Sequence, residues 1–409
     1  MVDIEGLGST GLFSRKSKVH ELTKDVHMLQ YWSNICIFET DGGVLIYDIG
    51  FEFYGPQILE ELRKITDKPV RYIIYGHGHA DHAFGAQAII NEAAERAYPR
   101  PIIIAHRNLP LRFDRYRHML AYHAHINSIQ FEIPDNLPGF VQNYIYPDLT
   151  YDYSMQLQLG SRTFLLNHNM GETDDTTWMW APETKIAAVS DLWVWSCPNV
   201  GNPFKVQRYE IEWAQGLEAI AGREPDFLLP GHGPPITGRK EIINACTTVA
   251  RALRFLHDQV VHMLNQGKWQ EEILHTFEWP DEFQKSPYLQ SIYGHPYFIV
   301  KAILRRYHGW YDGNPSHLFP TRSTDIAKEI VGLLGDPKKL LDRARVLKEG
   351  GEQQLALHLV DLVVESGSGD QYEEALKLKI DLLNALAECE PSLIARNIFK
   401  TGARRVGKK

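Results

Sequence analysis

The sequence predicts an α/β domain followed by an all-α C-terminal domain. Three observations carry that reading. Strand and helix patterns alternate as far as Ile104, polar chemistry collects at the end of a short apolar run, and from about Arg239 onward the patterning is helical. A chain of 409 residues exceeds what one hydrophobic core fills, so more than one domain is expected.

The elements follow in order. Ile35–Thr40 and Val44–Tyr47 are β-rich runs joined by Asp41-Gly42-Gly43, a hairpin signal. Ile58–Ile65 has helical spacing, and Val70–Tyr75 reads as a buried strand. Phe84–Arg96 reads as a helix and Ile102–Ile104 as a strand. Residues 107–153 are rich in His, Tyr, Arg and Pro and show no β period, which predicts a helical and looped insertion able to wall a site. Further strands are expected at Gln156–Leu159, Thr163–Leu166, Thr176–Trp180, Ile186–Val189 and Phe227–Leu229. Beyond Thr324, Lys338–Lys348, Gln353–Val364 and Tyr372–Ala387 are amphipathic helices separated by Gly-containing turns. The division expected is 1–240, 241–323 as a helical linker region, and 324–409 as helical hairpins.

With 51 acidic against 43 basic residues the net charge is −8, which argues against nucleic acid or an anionic membrane as the main partner. No stretch approaches the roughly 18 apolar residues of a membrane span. The N-terminus lacks the apolar run of a signal peptide. Cys36, Cys197, Cys246 and Cys389 are scattered, as in a reduced cytoplasmic enzyme.

Chemistry concentrates in His77-Gly78-His79-Ala80-Asp81-His82. In an extended segment, residues two apart point the same way, so His77 and His79 can reach one metal. Asp81 and His82 can reach a second. Three histidines and an aspartate in six residues are foreign to an ordinary core or surface. Two divalent metal ions are expected, zinc by default from the His-rich ligation, with iron or manganese open.

This run resembles the HxHxDH motif of the metallo-β-lactamase superfamily. The likeness continues through Ser33-Asn34, Tyr47-Asp48-Ile49-Gly50, Ser190-Asp191-Leu192 and Pro230-Gly231-His232-Gly233. It implies an αββα sandwich with Asp191 bridging both metals and His232 as the last ligand. The family's middle ligand falls within His168-Asn169-Met170-Gly171-Glu172-Thr173, where the Gly-x-Thr spacing puts Glu172 in the ligand slot. His168 is the alternative ligand, or else faces substrate. Glutamate there is similar to the alkylsulfatase branch. Tyr288–Pro296 and Gly309–Pro315 resemble segments leading into that branch's dimerisation domain. The resemblance implies a homodimer through the C-terminal helices, and the sterol-carrier-like third domain of many members is not expected.

By this resemblance the function expected is hydrolysis of an ester-type bond in a small molecule, an alkyl sulfate first. A carboxylic ester, lactone, thioester or phosphoester hydrolase on the same metals is the alternative, and a non-hydrolytic metal-binding or redox protein a more distant one. Two metals in such a site activate a water and polarise the ester oxygen, with Asp81 assisting. The branch also supplies a histidine acid soon after its bridging carboxylate, but here Trp193–Asn202 contains no histidine. Asp191 also stands where the branch has glutamate. His168, Tyr209 and the insertion's His118, His123 and His125 are the candidate acids. Trp193, Trp195, Asn202 and Arg208 are candidate substrate contacts, although tryptophans there more often belong to a core. Arg112, Arg115 and Arg117 could bind an anion or make surface salt bridges.

Overall fold

Two sheets carry the first part of the chain. The first sheet runs β1 (Lys18–Thr23), β2 (Val26–Gln30), β3 (Asn34–Thr40), β4 (Gly43–Tyr47), β5 (Val70–Ile74), β6 (Ile102–His106) and β7 (Leu149–Tyr151) in spatial order. It is antiparallel from β1 to β4 and parallel from β4 to β7. The second holds β8 (Ser154–Leu159), β9 (Arg162–His168), β10 (Thr177–Ala181), β11 (Ile186–Ser190), β12 (Phe227–Pro230) and β13 (Ile236–Thr237), again in order, with only β11 and β12 parallel. The computed structural model of the protein describes residues 18–132, 143–367, 369 and 371–407.

Alternate side chains of each strand enter different cores. Cys36 and Phe38 of β3 and Met179 and Ala181 of β10 face a core between the sheets. Phe38 meets Phe164 edge-on there, with ring centroids 5.5 Å apart. Losing either ring costs about 3–5 kcal/mol. Ile35 and Ile37 face the opposite way, toward the helices α1 (Gly55–Ile65) and α3 (Ala86–Glu95). Trp178 and Trp180 of β10 face a third core built with two later helices. The order of layers is helix, sheet, sheet, helix, which is the expected αββα sandwich.

The short α2 (Ala80–Ala83) follows β5 and carries Asp81 and His82. The insertion contains α4 (Leu109–His118) and α5 (Leu120–Gln130), while part of the stretch expected as a loop, 133–142, lies outside the described residues. It ends in β7, a strand the sequence reading omitted. Three residues with Leu149 and Thr150 exposed leave no alternation to detect. The strand β1 was omitted for the same reason, since Lys18–Thr23 is mostly polar and exposed or half-exposed throughout, whereas β2 was missed although most of Val26–Gln30 is buried.

On the far face of the second sheet lie α6 (Glu210–Gly222) and α7 (Arg239–Asn265), the latter burying Ile242, Cys246, Val249, Leu253, Leu256 and Val260 along one stripe. Further helices are α8 (Gln270–Thr276), α9 (Asp281–Gln284) and α10 (Pro296–Tyr307). They are followed by α11 (Ser323–Leu334), α12 (Lys338–Glu349), α13 (Gln353–Ser366), α14 (Tyr372–Cys389) and α15 (Leu393–Arg405). The helices α12 to α15 pack around their own core of Leu341, Ala344, Val360, Val363, Ala375 and Leu382.

The chain divides into two compact units. One runs to His123, resumes after the undescribed segment as far as Lys268 and adds Glu272–Tyr307. The other holds the end of α5, Trp269–Glu271 and His308 onward. No helix among the described residues is long and apolar enough to cross a membrane.

Candidate metal centre

Strand ends bring the chemistry together. The segment after β5 supplies His77, His79, Asp81 and His82. Glu172 comes from the loop after β9, Asp191 from the end of β11, and His232 from the end of β12. The donor atoms fall into two groups, each lying within 4.8 Å of one another. One is His77, His79, Glu172 and Asp191, and the other is Asp81, His82 and His232. Asp191 faces both. Its Oδ2 is 3.5 Å from His77 Nε2, and its Oδ1 is 3.4 Å from both His82 Nε2 and His232 Nε2. Asp81 Oδ2 lies 3.6 Å from His82 Nε2 and 3.5 Å from His232 Nε2.

The far nitrogens of three imidazoles are already engaged, which fixes the rings. His77 Nδ1 bonds Ser190 Oγ at 3.0 Å, His82 Nδ1 bonds Asp48 Oδ2 at 2.8 Å, and His232 Nδ1 bonds Trp32 O at 2.6 Å. Asp48 also accepts from Ser190 Oγ at 2.8 Å and from Gly76 N at 2.6 Å. Asp48 and Ser190 both hold positive φ, 58° and 46°, so local backbone strain is concentrated behind the ligands. Gly231 permits the closest approach, since a Cβ there would lie 2.1 Å from Asp191 Oδ1.

The donors fit a cation. His82 Nε2 and Asp191 Oδ1 are buried without a hydrogen-bond partner, although each faces the other. Burial, then neighbouring positive charge, holds His77 and His79 far below the usual imidazole pKa, so both are neutral ligands-in-waiting. Burial alone would lower His82 too, but Asp191, Asp81 and Asp48 outweigh it and push the ring up to about 10. Burial drives the Asp191 carboxyl well above the usual range, and His82 only partly offsets this. The chain itself leaves the cluster short of positive charge, which a divalent ion corrects.

Glu172 stands in the first group and His168 in neither. The Glu172 Oε1 accepts from Arg208 Nη1 and, at 2.8 Å, from Asn199 Nδ2, and the carboxyl also meets that of Asp191. Burial raises this carboxyl, but the charge and hydrogen bond of Arg208, the bond with Asp191 and the charge of His232 together outweigh it and hold the group below its ordinary value. His168 instead stacks on His106 with centroids 3.6 Å apart, and its Nδ1 bonds Thr176 O at 2.9 Å.

The remaining candidates scatter. Arg208 is buried beside Glu172 rather than on a helix surface. Asn202 donates to Asn199 Oδ1 at 3.4 Å and accepts from Phe204 N, so it backs Asn199. Tyr209 is half-buried, and its backbone N–H donates to Gly171 O at 3.1 Å, next to Glu172. Trp193 and Trp195 are 1% and 2% exposed and pack with Tyr288 in the core behind the second sheet. Both are packed into this core rather than displayed on an open wall. His123 stacks on Tyr116 at 4.3 Å and burial lowers it to about 3, while His118 is exposed. Neither belongs to a ligand group, and the same holds for His125. Arg112 is buried and ion-paired, contrary to the surface salt bridge expected.

Several residues escaped sequence reading. Asn199 lies in the stretch noted for lacking histidine, and its polar character beside Pro198 was the available signal. Lys205, enclosed and beside Arg208, falls to about 7, burial being the main cause. Tyr293 is held protonated by burial first and then by the charges of Glu172, Asp81 and Asp191.

The metallo-beta-lactamase superfamily model matches residues 33–232, and the alkyl sulfatase dimerisation model matches residues 270–409. A linear primary-alkylsulfatase from Pseudomonas sp. is 24% identical over 366 residues, covering 84% of this chain and 68% of its own. The alkyl/aryl-sulfatase BDS1 of Saccharomyces cerevisiae is 25% identical over 400 residues, covering 91% of this chain and 60% of its own. The solved stereoselective inverting sec-alkylsulfatase Pisa1 from Pseudomonas sp. superposes with a TM-score of 0.84 at 21% identity. That match covers 95% of this chain and 65% of Pisa1, so the chain spans about two-thirds of the relatives it matches. The chain joins a region that matches the metallo-beta-lactamase superfamily to a region that matches the alkyl sulfatase dimerisation family, and it resembles alkylsulfatases over most of its length.

Proposed function

We propose that this protein is a binuclear metal-dependent hydrolase of alkyl sulfate esters. The observation that carries the reading is Asp191, which turns one carboxylate oxygen to each of two ligand groups. His77, His79, Glu172 and Asp191 would hold one divalent ion, and Asp81, His82, His232 and Asp191 the other. Zinc is the natural occupant of so many imidazoles, and the three carboxylates keep iron and manganese open. Ions held there would supply a water of lowered pKa and polarisation of the ester oxygens.

The chain's own groups do the rest. Asp81, whose Oδ2 lies near His82 and His232, would orient the attacking water and take its proton. Arg208 and Asn199 hold Glu172, and their positive edges favour an anionic ester beside it. We favour Tyr209 over His168 as the proton donor to the leaving group. Burial, then Asp174, keeps the Tyr209 phenol protonated, and its backbone is tied next to Glu172. The ring of His168 is committed to His106.

Residues 1–240 are taken as the catalytic part, 241–323 as the helical region leading to dimerisation, and 324–409 as the helical hairpins. A homodimer is supported by the matched dimerisation model and by apolar side chains displayed on α11, where Ile326, Ile330 and Leu333 recur at helical spacing and are exposed. A reducing, cytoplasmic setting accords with four free cysteines, three of them buried.

The test couples metal analysis to a panel of alkyl sulfates, aryl esters, lactones and phosphodiesters. Two metal equivalents with turnover of alkyl sulfates is the outcome expected. Turnover of carboxylic or phosphate esters alone would reject the substrate and keep the metal site.

A further inference from the structure

The first ligand group draws its donors from three segments: the turn at 77–79, the loop holding Glu172, and Asp191. Two of these are braced by α4, from the insertion. Arg112 is 5% exposed, and its Nε donates to Asp175 Oδ1 at 2.8 Å. Asp175 is wholly buried, and its other oxygen, Oδ2, accepts from Gly78 N at 2.9 Å. Gly78 is the residue between His77 and His79. The same guanidinium donates through Nη2 to Asp174 Oδ1, and Asn108 Nδ2 donates to Asp174 O at 2.9 Å. Asp174 and Asp175 close the loop that begins at Gly171 and carries Glu172.

We propose that Arg112 is a positioning residue for the His77, His79 and Glu172 group, acting on the histidine turn through Asp175 and on the glutamate loop through Asp174. The inference rests on reading that group as a metal site. The physical reason is charge. A cation beside a buried carboxylate offsets its burial and keeps it charged to hold a backbone amide, and removing one partner of a buried pair strands the other. Without Arg112, Asp175 would move toward solvent or take a proton and release Gly78. The turn itself is shaped to this brace. A Cβ at Gly78 would lie 2.8 Å from Arg112 Cδ and 3.0 Å from Asp175 Oδ2, so any side chain there displaces one of them. Both segments carrying these donors are therefore set by a helix that contributes no ligand of its own.

Zinc binding to the metal-free full-length chain, measured by chelator competition, tests this. Far-UV circular dichroism of each metal-free variant checks the fold. Arg112→Met should weaken one of two zinc equivalents by about 10–100-fold and leave the second at parental affinity. Arg112→Lys should fall between, since a point charge cannot serve both aspartates. Arg117→Met, on the exposed side of α4, should match the parent. Should Arg112→Met fail to fold, Asp175→Asn decides, because it keeps an acceptor for Gly78 and the volume of the side chain but loses the charge. A selective loss is expected there too. A folded Arg112→Met, or Asp175→Asn in its place, that binds both equivalents like the parent overturns the proposal. Equal weakening of both equivalents also overturns it, as a general loosening. A parent that binds no zinc sinks the metal reading itself, and this inference with it.

Discussion

Asp191 Oδ1 lies 3.4 Å from His82 Nε2, and neither of these buried atoms has a hydrogen-bond partner. Two orphaned lone-pair donors, facing each other in a buried site, mark a place for a cation that accepts from both. Asp191 also turns Oδ2 toward His77. Asp191→Asn should therefore weaken both metal equivalents, whereas a ligand of one group should affect one. Elemental analysis after dialysis reads this directly. If the Asn variant keeps two equivalents at parental affinity, the shared role of Asp191 is wrong.

Glu172 and His168 separate in the same way. Glu172→Gln removes the carboxylate from the first group and should cost one equivalent, together with most of the activity. His168→Ala should leave both metals bound. It loses a stack on His106 and one bond to Thr176, at a stability cost of about 1 kcal/mol. Loss of a metal from the alanine variant, with two retained in the glutamine variant, reverses the assignment.

Much of the fold and of the metal centre was legible because local chemistry decides it. Two histidines at i and i+2 at a strand end share a direction, so His77 and His79 needed no tertiary knowledge. The long α7 and the core strands β3, β4 and β10 announce themselves by apolar period. What escaped depends on distant partners. Arg112 looks like one of three surface arginines on α4 until Asp175, 63 positions later, arrives beside it. Trp193 and Trp195 sit in sequence where a substrate wall could be, and only the packing of α7 and Tyr288 assigns them to the core. Asn199 is an unremarked polar residue until Glu172 folds against it.

His106 ties stability to acid pH. Its buried ring is held at about 4, by burial first and then by the neighbouring His168. The unfolded ring takes its proton near 6.5, so between those values the unfolded state binds one proton more than the folded state. Stability from this group is intact above about 6.5 and is lost as pH falls toward 4, at about 1.4 kcal/mol per pH unit. Urea midpoints of the metal-free protein at pH 7 and pH 5 should differ more for the parent than for His106→Asn. Identical pH dependence in the two proteins would contradict a neutral, buried His106.

Helix α11 bears on assembly. Ile326, Ile330 and Leu333 are 46%, 40% and 87% exposed and recur at i, i+4 and i+7, which places them along one face. Trp310 and Phe319, in the segment leading to that helix, are 79% and 87% exposed. A single chain gains nothing by showing so much apolar area to water, and burying one such side chain is worth about 1.5–3 kcal/mol. A second copy is the partner consistent with the matched dimerisation model. Replacing Ile326, Ile330 and Leu333 together by serine should convert a dimer to a monomer at micromolar concentration in sedimentation velocity. Far-UV circular dichroism should stay unchanged, because none of the three enters the core of Leu341, Val360 and Leu382. A triple variant that sediments as the parental dimer would move the interface off this face, and a monomeric parent would remove the dimer altogether.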